Sequence, residues 1–360
     1  MPEPFANRRK AVVQELKRLH LDCLLVTHPA NWYYLTGFTG ESGALTVTPH
    51  SSTLVTDGRF TVQAREQCPG VRVELQKGAL FSAVGQWLKD HRIERMGFDP
   101  AQWTVAQLKA AKRAAGAKCR AIETGGIVER LRAQKDPQEL AIMRKAAILA
   151  GNVMEKAFRL LRPGVRESDI AAEIEYQMKK RGASGPSFET IIASGKRAAL
   201  PHARPTSKRL KKNELVVLDL GAILAHYCSD MTRTVFVGRA PRRIRDWYRA
   251  VNEARAAAIA AVKPGATCGE VDAAAREVLR KSGLDQYFVH STGHGLGLEV
   301  HEEPRVARGQ SIRLEAGNVI TIEPGVYVEG LGGIRIEDDV VVRSHGSEVL
   351  TRVSRDLIEL

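Results

Sequence analysis

The succession helix, Pro-Gly, helix occurs twice in the last two-thirds of the chain. This repeat constrains the fold more than any other feature of the sequence. An Ala-rich stretch with a helical pattern over 138–161 runs into Arg162-Pro163-Gly164-Val165, and a second helix follows. The same order begins again with a helical stretch over 245–262 and Lys263-Pro264-Gly265-Ala266, 101 residues later. Pro and Gly interrupt helices, so each copy is a helix pair. The repetition predicts two related α/β halves that meet near residue 240, with a ligand cleft between them.

The first part of the chain has a different pattern, which predicts a separate domain. A helix over 5–20 precedes the short apolar strand Cys23–Thr27, and further strands and helices alternate after it. This pattern ends before Asp136-Pro137, which are suited to the N-cap and first position of a new helix. We therefore expect a mixed α/β (α+β) protein with two domains, 1–128 and 129–360.

Composition and charge exclude several classes of protein. The chain has 360 residues and a formal charge of +13, but its basic residues form short scattered clusters outside any nucleic-acid-binding motif, so a nucleic-acid partner is not expected. No apolar run is long enough to span a membrane. The first twenty residues lack the apolar core of a signal peptide, and the 5 cysteines are scattered without a Cys-x-x-Cys pair. These features predict a cytoplasmic protein.

Two acidic residues interrupt a pair of apolar strands. Asp219 lies in the predicted strand 215–224 and Asp230 in the strand 227–237, with a turn near Ala225-His226 between them. Because both acids are almost equally far from the turn, a hairpin would place them beside each other across the ladder. Two buried like charges repel unless a cation lies between them. On these residues alone, a solvated hairpin edge explains the pattern equally well.

Further acids and histidines follow in apolar or glycine-rich segments. His290 and His294 are four residues apart in a glycine-rich stretch and His301 comes seven residues later, while Glu323 ends one apolar strand and Glu337 lies in another. Carboxylates combined with imidazole suit hard or borderline cations such as Mn²⁺, Co²⁺ or Fe²⁺. Two such ions can polarise a carbonyl group and activate water. The pattern therefore predicts a site for a pair of divalent metal ions.

Together with these segments, four motifs make the chain resemble a known family. They are Asn31-Trp-Tyr-Tyr-Leu-Thr-Gly-Phe-Thr-Gly40, Thr56-Asp-Gly-Arg59, Ser187-Phe-Glu-Thr-Ile-Ile-Ala-Ser-Gly195 and Leu200-Pro-His202. The chain is similar over essentially its whole length to the metal-dependent Xaa-Pro peptidases, aminopeptidase P and prolidase. The resemblance implies a creatinase/prolidase-type N-terminal domain followed by a catalytic domain with the pita-bread fold.

The resemblance also implies roles for individual residues. Asp219 corresponds to a bidentate ligand of the first metal, Asp230 and Glu337 to bridging ligands, and His294 and Glu323 to the remaining ligands of the second metal. The ions would be Mn²⁺ in the first instance, with Co²⁺, Fe²⁺ or Zn²⁺ as alternatives.

Five residues are implied in catalysis. Glu323 corresponds to the proton acceptor for the attacking water, and Arg335 to an arginine that orients an acidic ligand. The other three correspond to histidines that contact substrate or stabilise the tetrahedral intermediate: His202, His290 and His301. Without the resemblance, Arg335 could equally form a salt bridge with Asp338 or Asp339.

The sequence therefore favours an Xaa-Pro aminopeptidase, which removes the first residue of a peptide when proline is second. An Xaa-Pro dipeptidase (prolidase) is the alternative. A metal-free relative such as the creatine-hydrolysing enzymes, or a non-catalytic binding module on the same fold, is a more remote one, because all five ligand positions are retained. The expected partners are proline-containing peptides and a second copy of the chain in a homodimer.

Overall fold

A mixed sheet flanked by helices forms the N-terminal part of the computed structural model, which describes residues 4–360. The sheet has the strand order β4-β3-β2-β1-β5-β6. The strands are β1 (Cys23–Val26), β2 (Ala44–Val47), β3 (Ser52–Thr56), β4 (Arg72–Leu75), β5 (Arg95–Phe98) and β6 (Arg120–Glu123). The helices are α1 (Pro4–Arg18), α2 (Pro29–Thr36), α3 (Thr61–Gln67), α4 (Leu80–Asp90), α5 (Val105–Ala115) and α6 (Ile127–Ala133). Buried apolar residues of β1, α4 and β5 form the core of this unit.

The chain divides into two compact units at Arg132/Ala133. The boundary predicted after residue 128 lies inside α6. The predicted α/β class is confirmed in both units. None of the helices within residues 4–360 is long and apolar enough to cross a membrane.

The second unit contains two helix pairs and several small sheets. Its helices are α7 (Pro137–Phe158), α8 (Glu167–Lys180), α9 (Arg242–Ala261) and α10 (Cys268–Lys281). Its first strands are β7 (Gly185–Pro186), β8 (Ile191–Ser194), β9 (Glu214–Leu220), β10 (Ala222–Leu224), β11 (Tyr227–Cys228) and β12 (Met231–Val237). The later strands are β13 (Gly293–Gly295), β14 (Glu302–Val306), β15 (Val319–Ile322), β16 (Gly325–Val328), β17 (Gly332–Arg335), β18 (Asp338–Val342), β19 (Ser347–Val349) and β20 (Ile358–Glu359). Short 3₁₀ turns occur at Pro100–Gln102, Gly195–Ala199 and Asp285–Tyr287.

The predicted repeat is present in the backbone. Gly164 and Gly265 both adopt positive φ, at 96° and 84°, where a side chain would be strained. The carbonyl of each glycine accepts a hydrogen bond of 2.6 Å from an arginine, Arg209 in the first half and Arg313 in the second. The turn between the two helices of each pair is therefore built in the same way in both halves. As predicted, Asp136 caps α7, whose first residue is Pro137.

Most strands of the two halves form separate sheets, but β20, at the end of the second half, pairs with β12 of the first. The strands of the first half lie in the order β12-β9-β8, which β20 extends at its β12 edge, with β11-β10-β7 beside them. In the second half the order is β14-β13-β15-β18-β19, and β16 pairs with β17 in a separate hairpin. Helices α9 and α10 pack on apolar residues from both sets of strands, which form one large core.

The hairpin register differs from the prediction. A two-residue turn at Ala225 and His226, both with positive φ, joins β10 and β11, so that Asp219 pairs with Thr232 and not with Asp230. Since residues two apart in a strand share a face, Asp230 is a diagonal neighbour of Asp219. The first predicted long strand is also interrupted at Gly221, between β9 and β10. Only glycine fits there, because a Cβ atom would lie 2.0 Å from the carbonyl oxygen of Ser229.

Candidate metal centre

Arg335 and Asp219 form a buried ion pair at the centre of the second unit. The Arg335 Nη2 atom donates to Asp219 Oδ2 at 2.6 Å, and both side chains are almost fully buried. The Arg335 Nε atom donates to the hydroxyl of Thr232 at 3.0 Å. That hydroxyl donates to Glu337 Oε2 at 2.6 Å. Arg335 thus orients Asp219 directly and Glu337 through Thr232, rather than pairing with Asp338 or Asp339.

Asp230 and Glu337 approach each other from adjoining strand ends. Asp230 lies just before β12 and Glu337 between β17 and β18. The backbone N–H of Asp230 donates to Asp339 Oδ2 at 3.1 Å, and that of Glu337 donates to the carbonyl of Thr232 at 3.1 Å. These contacts hold the backbone at both carboxylates in place.

His294 faces carboxylates with an unprotonated nitrogen. Its Nδ1 atom donates to the Gly295 carbonyl at 3.0 Å, which leaves the lone pair on Nε2. The Nε2 atom lies 3.4 Å from Glu323 Oε1 and 3.7 Å from Asp230 Oδ2. Burial, reinforced by nearby His301, lowers the pKa of His294 to about 4, so the ring is neutral. A neutral imidazole nitrogen that faces two carboxylates is an arrangement that a divalent cation between them would satisfy.

A cation would also stabilise the carboxylates of the centre. Burial, followed by the charges of Glu337 and Asp219, raises the pKa of Asp230 well above its ordinary value. Burial also raises the pKa of Glu337 well above normal and that of Glu323 to about 8. The Oδ1 atoms of Asp219 and Asp230 are buried and have no hydrogen-bond partner among the described residues. Buried unpaired carboxylate oxygens are costly, and divalent cations satisfy them.

A cavity of about 240 Å³ brings most of the predicted residues together. Ligand atoms of Asp230, His294 and Glu337 lie within 4.8 Å of one another. The cavity is also lined by Asp219, Glu323, Arg335, His202 and His301. The donor set of carboxylates and imidazole, with orphaned buried oxygens, fits divalent metal ions.

Comparison with known proteins agrees with this geometry. Residues 141–344 match the model of metallopeptidase family M24, and residues 8–134 match the creatinase/prolidase N-terminal domain. The chain belongs to metallopeptidase family M24.

Relatives of this M24 peptidase are similar over their whole length. An Xaa-Pro dipeptidase of Pyrococcus furiosus is 36% identical over 353 residues, which cover 98% of this chain and 99% of that relative. The structure of an Xaa-Pro dipeptidase from Bacillus anthracis has a TM-score of 0.95 and 36% identity, and covers 99% of this chain and 100% of its own. An X-Pro aminopeptidase from Thermotoga maritima has a TM-score of 0.91 and 32% identity, with 98% and 99% covered. These matches confirm the predicted family and its two-domain pita-bread fold.

His290, for which the resemblance implied a contact with substrate, is not among the described residues that line the M24 peptidase's cavity. Its Nδ1 atom donates to the Ser291 carbonyl at 2.8 Å, and its Nε2 atom lies 2.9 Å from the hydroxyl of Tyr327. Burial, with the nearby Arg335 charge, lowers the pKa of His290 to about 4. Both ring nitrogens of this neutral histidine are therefore engaged within the protein.

Tyr327 is a residue that the sequence analysis missed. Burial raises its pKa to about 12, so its hydroxyl keeps its proton, donates to His290 and accepts from Arg335 Nη1 at 2.7 Å. It links His290 to the Asp219–Arg335 pair. Thr232 was missed as well, although it shares the alternating face of Asp230 and could have been found from that spacing.

Proposed function

We propose that this M24 peptidase is an Xaa-Pro dipeptidase, which hydrolyses dipeptides whose second residue is proline. The observation that carries the proposal is the similarity, at 36% identity over 98% of the chain, to an Xaa-Pro dipeptidase. The sequence analysis favoured the aminopeptidase, and the comparisons support its prolidase alternative better. The aminopeptidase remains a second candidate because an X-Pro aminopeptidase structure is similar at 32% identity.

We assign the metal ligands to the five residues of the centre. Asp219, Asp230, His294, Glu323 and Glu337 would hold two divalent ions, Mn²⁺ in the first instance. When bound, such ions polarise the scissile carbonyl and make water a stronger nucleophile at neutral pH.

The chain's own groups supply the proton transfer and the shape of the site. We assign proton acceptance from water to Glu323, which lies in the cavity. His202 and His301 line the same cavity, and we assign to them donation to the oxygen that becomes negative in the transition state. Apolar Phe188, Ile191 and Val300 form the part of the lining suited to a proline ring.

Arg335 and Tyr327 act on the site indirectly. Arg335 holds Asp219 and, through Thr232, Glu337. We assign it a positioning role, since its guanidinium donors are used by protein groups.

The test compares a dipeptide with a tripeptide. Mn²⁺-loaded protein is incubated with Ala-Pro and, separately, with Ala-Pro-Ala, and the released alanine is measured with and without chelator. We expect chelator-sensitive cleavage of Ala-Pro and little cleavage of Ala-Pro-Ala. Efficient cleavage of the tripeptide would establish the aminopeptidase instead. Ala-Ala controls for the requirement for proline, and Asp219→Asn controls for a contaminating peptidase.

We also propose a cytoplasmic homodimer with the domains 1–128 and 129–360. The 5 cysteines are buried and free, which suits a reducing compartment. Light scattering on the purified chain measures the mass in solution, and a monomer mass would contradict the dimer.

A further inference from the structure

A second cavity, of about 730 Å³, lies in the unit that contains the metal centre, and it shares no lining residue with the first. We call it the cationic cavity. Its lining contains a single acid, Glu214, and six basic side chains: Lys196, Arg197, Lys208, Lys211, Arg239 and Arg243. The excess of positive charge in one concave surface points to an anionic ligand.

Two of the six cations are already neutralised. Lys208 lies 2.8 Å from Glu214, and Arg197 lies 3.1 Å from Glu167. The other four have no carboxylate partner among the residues that the structure describes, and all of them are exposed to solvent. They are Lys196, Lys211, Arg239 and Arg243. Since neighbouring like charges repel, an unpaired group of this kind favours binding of several negative charges at once.

The start of helix α9 lies at the same cavity and adds to its positive potential. Pro241, which lines the cavity, is the N-cap residue and provides no side-chain hydrogen bond to the helix. The first turn contains Arg242 and Arg243 and no acid. Arg242 lies 3.8 Å from Asp246, and Glu359 beside the helix start accepts from the N–H of Ala240 and pairs with Arg245. Arg243 has no carboxylate partner among the described residues, although the positive end of a helix dipole favours negative charge. A bound anion would offset the charge of Arg243.

The rest of the wall is apolar and partly aromatic. Phe236 and Trp247 are buried at the cavity, and the guanidinium of Arg243 lies 4.5 Å from the centre of the Trp247 ring. Ile244 continues this wall, and Leu331, at the tip of the β16–β17 hairpin, is 49% exposed at its edge. An exposed leucine beside a buried aromatic wall suits a ligand that carries a ring as well as charge.

We propose that the cationic cavity binds an organic polyphosphate of the nucleoside di- or triphosphate class. Four unpaired cations and a helix N-terminus match the charge of two or three linked phosphates. The apolar wall matches a ring on the same molecule. An acidic peptide fits less well, because its carboxylates are spread along the backbone on alternate sides. A single inorganic phosphate would leave both the apolar wall and most of the cations without contacts.

The test measures binding of ATP, with excess Mg²⁺, to the metal-loaded full chain by calorimetry at physiological ionic strength. The test variant combines Lys196→Gln, Lys211→Gln and Arg239→Gln, which are exposed positions outside the proposed active site. The matched control combines Lys145→Gln, Lys156→Gln and Lys179→Gln, which remove the same charge from exposed helix positions elsewhere. We expect the test variant to bind at least about tenfold more weakly and the control to bind like the wild type.

Other probes separate the alternative ligands. Inorganic phosphate should bind much more weakly than ATP, and tripolyphosphate should bind with intermediate affinity because it lacks the ring. Equal weakening in both triple variants would reduce the effect to net charge and overturn the proposal. Absence of ATP binding at millimolar concentration would also overturn the proposal. So would tighter binding of a single-stranded oligonucleotide than of ATP, if the oligonucleotide lost affinity only in the test variant. None of these results depends on whether the chain cleaves Ala-Pro.

Discussion

Replacing Tyr327 by Phe removes one buried oxygen atom that connects two parts of the metal centre. The hydroxyl accepts from Arg335 Nη1 at 2.7 Å and contacts His290 Nε2 at 2.9 Å, while the ring packs in the core. A hydrogen bond to a charged group contributes about 1.5–3 kcal/mol, and an imidazole nitrogen left unpaired costs about 1–3 kcal/mol. Arg335 keeps its bonds to Asp219 and Thr232, so the fold should survive the change.

The expected effect on function follows because Arg335 loses one of the hydrogen bonds that hold its guanidinium in place. Loss of a partner that directly orients a metal ligand typically costs about 10–100-fold in metal affinity or activity, and Tyr327 acts one contact further out, through Arg335. We therefore expect Tyr327→Phe to weaken Mn²⁺ binding and kcat/KM for Ala-Pro by about tenfold, the lower end of that range. Chelator competition measures the first quantity and initial rates measure the second, with circular dichroism to verify folding. Tyr176→Phe, on the exposed face of α8, is the matched control and should change neither. Wild-type metal affinity and kcat/KM in Tyr327→Phe would refute the positioning argument.

Two further substitutions test what holds the site in place. Asp338 is buried and accepts hydrogen bonds from three arginines. Asp338→Asn should therefore destabilise the fold by about 3–5 kcal/mol in urea unfolding, whereas the exposed Asp246→Asn should cost less than about 1 kcal/mol. Burial raises the pKa of Asp338, but the arginine charges outweigh burial and lower that pKa below its ordinary 3.8. The stabilisation that ionised Asp338 gives to the fold is therefore fully present above pH 3.8. It is lost as the pH falls through the lowered folded-state pKa. The gap between wild type and Asp338→Asn should therefore narrow in acid, and a gap that widened would contradict this sign. Gly333→Ala would place a Cβ atom 2.2 Å from the carbonyl of Ala198, so it should lower both stability and activity. Gly330 has a positive φ of 77° but open space around it, so Gly330→Ala should lower the free energy of unfolding by only about 1 kcal/mol and leave activity unchanged. Equal losses in the two glycine variants would rule out the clash at Gly333.

The sequence was sufficient for features that depend on local chemistry. Asp136 and Pro137 predicted the start of α7, and the two Pro-Gly signals predicted the repeated helix pairs, because caps and helix ends are encoded within a few residues. The cluster around His294 was indicated by acids within or beside apolar segments, where an unpaired charge is unfavourable, together with the family resemblance.

The strand register was misjudged although its turn was located correctly. A two-residue turn at Ala225 and His226 pairs Leu224 with Tyr227, and counting back from that pair places Thr232, and not Asp230, opposite Asp219. The substrate contact of His290 was implied by the family resemblance and stays a prediction. The contact of His290 with Tyr327 joins residues 37 positions apart in sequence, and no local pattern reveals it.

The repeated architecture has a consequence for how the chain holds together. Of the proposed ligands, Asp219 and Asp230 come from the first half of the second unit, whereas His294, Glu323 and Glu337 come from the other half. Each half alone is an incomplete chelator, so tight capture of an ion requires that the two halves be docked. A cation bound to both sets acts as a non-covalent cross-link whose binding energy is added to the stability of the folded state. The metal content of the protein would thereby report on the integrity of the interface between its duplicated halves.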